Sequence, residues 1–157
     1  MSNPLETDHT ILPWLGRSMK LAGYYMADSF KANNIELSRP QLVMLIILLK
    51  NKEQPQPQNS LAFLTNRDKA SLARLINTME KKNLVERLAD ENDKRVNLVK
   101  ITETGKKTLF QAFPVVTEVN ETIQKGIPQA DLKIAIEVLK KIVSNIKLAE
   151  VESSEKK

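Results

Sequence analysis

Apolar residues recur every three or four positions over long stretches of the 157-residue chain, which predicts a mainly helical protein. The first of these stripes predicts a helix from Pro13 to Ala32, with Pro13 in the first turn, where its missing N–H costs nothing. A second helix is predicted to begin at Ser38, because Ser38 and Gln41 form an S-x-x-Q capping box. This helix is apolar on nearly every side, a pattern typical of a central, buried helix.

Two further helices follow a polar, proline-punctuated loop at 51–57. The pattern predicts a short helix over 58–65 and an amphipathic helix over 69–82, separated by the turn Asn66-Arg67-Asp68. Either Asn66 or Asp68 can cap the second of these helices. The apolar face of that helix consists of Leu72, Leu75, Ile76 and Met79.

The spacing of apolar residues changes after Asn83. Two runs at 84–88 and 96–101, rich in aliphatic and β-branched residues, predict strands joined by a polar hairpin tip. A fifth helix is predicted over about 102–125, kinked or broken at Pro114. A sixth begins at Pro128 and carries a continuous apolar stripe, and the charged tail at 150–157 is expected to be disordered.

Composition excludes several classes of function. The chain has no Cys, so it has no disulfide, thiol nucleophile or thiolate metal site. Its one histidine, His9, falls in an expected frayed tail and cannot build a multi-histidine zinc site. No paired-carboxylate spacing stands out, so no catalytic residue, metal ligand or cofactor is predicted. No signal peptide or membrane span is visible, and we expect a cytoplasmic protein without a membrane partner.

Positive charge is concentrated in the middle of the chain. Residues 60–107 carry eleven basic and seven acidic side chains, whereas the segments on either side are close to neutral. This excess favours a surface that faces a polyanion, with an ordinary solvated face as the alternative.

The order helix, short helix, turn, amphipathic helix and hairpin predicts a winged helix-turn-helix. The N-terminal residues of such a helix reach base edges in the major groove of DNA, and an arginine on the hairpin tip can enter the minor groove. The candidate DNA contacts are Lys69, Ala70, Ser71, Arg74 and Asn77 on the helix and Lys94 and Arg95 on the wing. The candidate phosphate contacts are Ser38, Gln58, Asn59 and Ser60.

Two of these assignments have structural alternatives. Arg95 could pair with an acidic residue, such as Asp93 or Asp68, and brace the wing, and this role is compatible with contacting DNA. The polar residues at 58–60 could cap the short helix instead of binding phosphate.

The segment from Leu61-Ala62 to Leu84-Val85-Glu86-Arg87, and the run DKRVNLVKITETG at 93–105, resemble the MarR-type bacterial transcriptional regulators. The start of the second helix at 38–42 is similar as well. The resemblance implies an obligate homodimer that pairs helices at 11–33 and 104–148. It also implies a small aromatic or anionic effector, bound in a cleft between the dimer helices and the DNA-binding lobe, that usually releases the protein from DNA.

The first helix carries side chains that could line such a cleft. They are Trp14, Arg17, Tyr24 and Tyr25. Packing in the core or at the dimer interface is the alternative explanation for them.

The sequence therefore predicts a mainly α fold with a small β-hairpin wing, in which a winged helix-turn-helix at 38–102 lies between N- and C-terminal dimerisation helices. The predicted function is a homodimeric transcriptional regulator, a repressor without enzymatic activity, that binds pseudo-palindromic double-stranded DNA and is released by a small molecule. The rival hypothesis is a protein-interaction module that kept the winged fold but lost DNA binding. The acidic wing residues Asp90, Glu91 and Asp93 keep this hypothesis open.

Overall fold

The computed structural model describes residues 10–51, 54–91 and 93–154. His9 and residues 155–157 of the predicted tail lie outside this part. The predicted mainly helical fold with a small wing is confirmed. The elements are α1 (Ile11–Ala32), α2 (Arg39–Lys50), β1 (Gln56–Pro57), α3 (Gln58–Thr65), α4 (Lys69–Lys81), β2 (Val85–Ala89), β3 (Asn97–Ile101), α5 (Glu103–Gln124) and α6 (Gln129–Ser154).

The chain divides into two compact units at a boundary within α5, between Val119 and Asn120. The first unit holds the buried core, to which α1 to α5 and the sheet all contribute. The second unit comprises the end of α5 and α6. The largest fully buried side chains are Phe30, Met44, Leu45, Leu48, Leu61, Leu72, Ile76, Met79, Val99, Leu109 and Val119.

Side-chain caps and asparagine turns fix the ends of the helices. The predicted capping box of α2 is present, with the Ser38 N–H donating to Gln41 Oε1 at 3.0 Å. Asp68, rather than Asn66, caps α4. Three asparagines adopt left-handed backbone conformations that short polar side chains tolerate; they are Asn34, Asn66 and Asn83, with φ of 54°, 50° and 54°.

The three strands form one antiparallel sheet in the order β1-β3-β2. In the wing hairpin Val85 lies opposite Ile101 and Ala89 opposite Asn97. The strand at Gln56–Pro57 corrects the prediction of a loop over 51–57. Two residues are too few to show an alternating pattern, and a proline is tolerated because β1 is an edge strand.

The two C-terminal helices differ from the prediction at one position each. α5 is an unbroken helix across Pro114, which corrects the expected break. Buried Leu109, Ala112 and Val115 on both sides of the proline hold the helix to the core. α6 continues through Ser154, so residues 150–154 are helical rather than a disordered tail. That stretch contains neither glycine nor proline, and its two glutamates are good helix formers although they are charged.

The junction between the wing and α5 depends on a close backbone approach. Thr102 Oγ1 donates to the Asn83 carbonyl at 2.6 Å and accepts from the Gly105 N–H at 3.0 Å. A Cβ atom at position 105 would lie 2.1 Å from the Leu84 carbonyl oxygen. Glycine is therefore required here because the start of α5 packs directly on backbone.

We expect Gly105→Ala to lower the free energy of unfolding by roughly 1–3 kcal/mol, because the methyl group must push the backbone of Leu84 aside. Urea unfolding followed by circular dichroism measures this. Gly16→Ala is the matched control, since nothing lies within 4 Å of a Cβ atom there; it should be neutral or stabilising by up to about 1 kcal/mol. An unchanged midpoint for Gly105→Ala would contradict the packing argument.

Candidate nucleic-acid interface

The amphipathic helix α4 has one buried face and one exposed face. Leu72, Ile76 and Met79 are completely buried in the core. The opposite face carries most of the side chains predicted to contact DNA. Lys69, Ala70, Arg74 and Asn77 are exposed, and Ser71 is half-buried. The packing of the apolar face therefore determines which polar groups α4 presents.

The first turn of α4 carries a small polar network that the sequence prediction did not include. Asp68 Oδ1 accepts from the Ser71 N–H at 2.8 Å. The Ser71 hydroxyl oxygen accepts from Arg67 Nη1 at 2.9 Å. Ser71 therefore holds the guanidinium of Arg67 beside the helix N-terminus, while its own O–H remains able to donate. This makes Arg67 an additional candidate for contacting DNA.

The same network lowers the pKa of the Asp68 carboxyl. Its hydrogen bond from the Ser71 N–H is the largest cause that holds the pKa of Asp68 below its ordinary value, and the charge of Arg74 lowers it further. The carboxylate also lies at the positive end of the helix dipole, which favours its charged form. The cap is therefore ionised at neutral pH.

The wing is attached to α4 by an arginine on β2. Arg87 Nη1 forms an ion pair with Glu80, and Arg87 Nη2 donates to the Ala73 carbonyl at 3.4 Å. One side chain therefore contacts α4 at two points, about two turns apart along the helix. This brace fixes the position of the wing relative to the candidate recognition face.

The wing tip presents both predicted cations to solvent. Lys94 and Arg95 are exposed. The carboxylate of Asp93 accepts from the backbone N–H of Arg95 at 2.9 Å, so it orders the turn through the main chain. Within residues 54–91 and 93–154, the guanidinium of Arg95 makes no ion pair with Asp93 or Asp68. The geometry therefore does not support a bracing role for this side chain.

A crevice joins the wing to the start of α3. It has a volume of about 150 Å³ and is lined by Gln58, Asn59, Arg95, Val96 and Asn97. Pro57 precedes α3 and no side chain caps its first turn, so the capping alternative for 58–60 does not apply. Two predicted phosphate contacts thus lie beside a predicted wing cation, and Ser60 is exposed in the same turn of α3.

The remaining predicted site residues lie elsewhere. Ser38 lines a different cavity and takes part in the capping box of α2. The four candidates for the effector cleft are exposed along α1, where Arg17 lies 5.9 Å from the ring centre of Trp14 and Lys20 lies 5.9 Å from that of Tyr24. These pairs are contacts within one helix, and the assignment of Tyr25 and the others to an effector cleft stays a prediction.

Sequence reasoning missed Arg67 and Arg87. Arg67 precedes the N-cap of α4, so the periodicity of that helix gives no signal for it. No local signal identifies the second, since the partners Arg87 and Glu80 are brought together by the packing of β2 on α4.

Comparison with known proteins finds a family similarity in this lobe. The model of the MarR family matches residues 37–96, which include α2, α3, α4, β2 and the tip of the wing. This match confirms the resemblance seen in the 61–87 and 93–105 segments, although it ends within the latter.

A curated protein is similar to part of the chain. An uncharacterised HTH-type transcriptional regulator, YwaE of Bacillus subtilis (strain 168), is 27% identical over 86 residues, or 55% of this chain. The match spans only 50% of that relative's length.

Two solved structures share the fold. A mutant MarR from E. coli complexed with operator DNA has a TM-score of 0.74 at 22% identity, covering 89% of this chain and 99% of that one. BpsR of Bordetella bronchiseptica, whose DNA binding is regulated by 6-hydroxynicotinic acid, has a TM-score of 0.79 at 18% identity, covering 90% and 98%.

The described residues contain neither a cluster of metal ligands nor a membrane-spanning helix. Within 10–51, 54–91 and 93–154, no group of three or more His, Asp or Glu side chains could hold a metal ion. No helix in the same residues is long and apolar enough to cross a membrane.

The cap of α4 should be sensitive to acid. Because the folded-state pKa of Asp68 is lowered from 3.8, its contribution to stability is complete above that value and is lost as the pH falls through the folded pKa. Asp68→Ala should therefore unfold at a lower temperature than the wild type at pH 7, and the difference should shrink below pH 3.8. Thermal unfolding at several pH values measures this.

Asp68→Asn is the matched control for the cap, because asparagine also caps helices but does not titrate. It should retain most of the stability at pH 7. A difference between the wild type and Asp68→Ala that persists unchanged in acid would refute the assigned cap.

Proposed function

We propose that this protein is a homodimeric, DNA-binding transcriptional regulator, without enzymatic activity, that binds pseudo-palindromic duplex DNA. The observation that carries the proposal is the exposed face of α4, which holds Lys69, Arg74 and Asn77 at the surface while its opposite face is buried. An exposed helix of this kind can enter the major groove of duplex DNA, and a hairpin with a basic tip beside it can reach the adjacent minor groove.

The proposed contacts fall into two classes. Arg74, Asn77 and Ser71 read base edges in the major groove, and Arg95 enters the adjacent minor groove. Lys69, Lys94 and Arg67 neutralise backbone phosphates, and the uncharged amides of Gln58 and Asn59, beside the crevice near Arg95, donate hydrogen bonds to them. Two further side chains are proposed to contact phosphates, namely Ser38 at the start of α2 and Ser60 at the start of α3.

The exposed apolar residues outside the DNA-binding lobe support the dimer. α6 carries eight large apolar side chains that are 42–62% exposed, which is an unusually large number of exposed apolar residues for one helix in water. α1 carries a comparable exposed set that includes Leu12, Leu21 and Tyr24. A second copy of the chain that pairs 11–33 and 104–148 with their counterparts would cover them. The exposed residues on α6 are Ile134, Ile136, Val138, Leu139, Val143, Ile146, Leu148 and Val151.

Repression relieved by a small aromatic or anionic molecule is the regulatory part of the proposal. Its support is the shared fold with BpsR, whose DNA binding is regulated by 6-hydroxynicotinic acid. In this chain the side chains proposed for that role are Trp14, Arg17, Tyr24 and Tyr25.

A protein-interaction module is the second candidate. The observation that favours it is Phe63 on α3, which is 80% exposed, beside Leu64, which is 52% exposed. Exposed apolar residues next to the candidate DNA-binding face are atypical of an electrostatic surface and typical of a protein contact.

Duplex DNA binding at several salt concentrations separates the two candidates. A regulator should bind random duplex DNA with a steep loss of affinity as salt rises, and bind a site selected from a random pool far more tightly. Fluorescence anisotropy measures both affinities. Absent or salt-insensitive binding to every duplex would reject the regulator and favour the protein-interaction module.

Within that assay, Arg74→Ala should weaken binding to the selected site by roughly 1–3 kcal/mol, because a bidentate contact to a base or a phosphate is lost. The control Lys133→Ala removes one positive charge from α6 and should leave the affinity nearly unchanged. Equal affinities for Arg74→Ala and the wild type would remove Arg74 from the proposed interface.

The proposed dimer interface has its own test. Leu139→Ala should shift the protein towards monomer, because the variant loses apolar area that the second copy would bury. Sedimentation equilibrium at low concentration measures the shift. Lys140→Ala, on the next residue, breaks only an exposed pair with Glu137 and should sediment like the wild type. Unchanged association of Leu139→Ala would contradict the assigned interface.

A further inference from the structure

A second cavity lies at the opposite end of α4 from the candidate DNA contacts in its first turn. Its volume is about 720 Å³, within the range of roughly 300–1,000 Å³ that is usual for small-molecule sites. It is an open depression bordered by the end of α1, the connection at 33–37, the start of α2 and the last turn of α4. Its lining residues include Phe30, Ile35, Leu37, Gln41, Thr78 and Lys82.

Gln41 is the buried polar group in this cavity, and one side of its amide has no partner. The side chain is only 4% exposed. Its Oε1 accepts from the Ser38 N–H, which sets the orientation of the amide so that Nε2 is the free end. Within the described residues Nε2 makes no hydrogen bond. Every side-chain nitrogen or oxygen there that is fully sealed from solvent has a partner, so Nε2 is not sealed. Nε2 is therefore available as a donor, and Gln41 is one of the residues that line the cavity.

The charges around the cavity favour an anion. Lys31 and Lys82 line it against one acidic residue, Glu36. Lys82 Nζ donates to the Glu36 carbonyl at 2.8 Å, which holds the ammonium at the wall and leaves it further hydrogens to donate. Thr78 on α4 also lines the cavity, and its O–H donates to the Arg74 carbonyl.

The inner wall is apolar. Phe30 and Leu37 are buried and Ile35 is half-buried, so the cavity pairs an apolar surface with donors at one side. A ligand that combines a compact hydrocarbon part with a carboxylate satisfies both features, because the carboxylate would accept from Gln41 Nε2 and Lys82 while the hydrocarbon covers the apolar wall.

We propose that this cavity is a binding site for small organic carboxylates. The site is separate from the α1 candidates for an effector cleft, none of which lines it. Because Thr78 lies on α4 and Lys82 is its C-cap residue, a bound carboxylate lies against the end of the candidate recognition helix. Binding itself does not depend on the proposed DNA-binding function and is tested without DNA.

The test is a titration of the full-length protein with benzoate and with hexanoate, followed by the NMR signals of the Gln41 side-chain amide and the Leu37 and Thr78 backbone amides. Both carboxylates should produce saturable shifts at millimolar concentration. Benzamide, the uncharged counterpart of benzoate, should bind more weakly by about tenfold, since it loses the charge-assisted hydrogen bonds. No saturable shift with either carboxylate would overturn the proposal.

Gln41→Glu is the decisive variant, because glutamate preserves the capping box while replacing the free donor with a negative charge. Benzoate affinity, measured at Leu37 and Thr78, should fall by roughly tenfold or more, and thermal unfolding should show that the fold is intact. Lys82→Met should also weaken binding, whereas the control Lys50→Met, at the other end of α2, should not. Wild-type affinity in Gln41→Glu would overturn the assignment.

Discussion

The packing of Leu72, Ile76 and Met79 against the core is the constraint on which the candidate interface depends. These side chains fix the rotation of α4 about its own axis, and a helix rotated by one residue would move Arg74 by about 100° around the axis. Everything proposed for the exposed face follows from this orientation. The Asp68 cap then fixes where the helix begins, and the brace from Arg87 fixes where the wing stands.

Helices and their caps were predictable from sequence because both are local properties. The capping box at Ser38 and Gln41 and the stripe on α4 leave a signal within one or two turns of chain. The strand β1 left none, because two residues contain no period and one of them is a proline. Residues 150–154 were misjudged because charge suggested disorder, whereas the absence of glycine and proline allowed α6 to continue.

The interface was only partly predictable for a related reason. The exposed residues of α4 follow from periodicity, but Arg67 lies in a turn, and its direction depends on the left-handed backbone at Asn66. The large cavity is still less visible in sequence, because it forms where α1, α2 and α4 meet. Gln41 illustrates the difference, since its sequence signature reports the cap at Ser38 and not the place of the side chain in the lining of the cavity.

The attachment of Arg87 to both Glu80 and Ala73 has a mechanical consequence for recognition. A lobe whose helix and hairpin keep a fixed spacing cannot adjust one against the other when it meets a duplex of imperfect shape. The nucleic acid must then deform to fit, and its deformation energy is lowest for sequences whose groove widths already suit that spacing. Such sequences are favoured even at base pairs that no side chain touches. If the lobe binds DNA as proposed, Arg87 contributes in this way to which duplex sequences are bound.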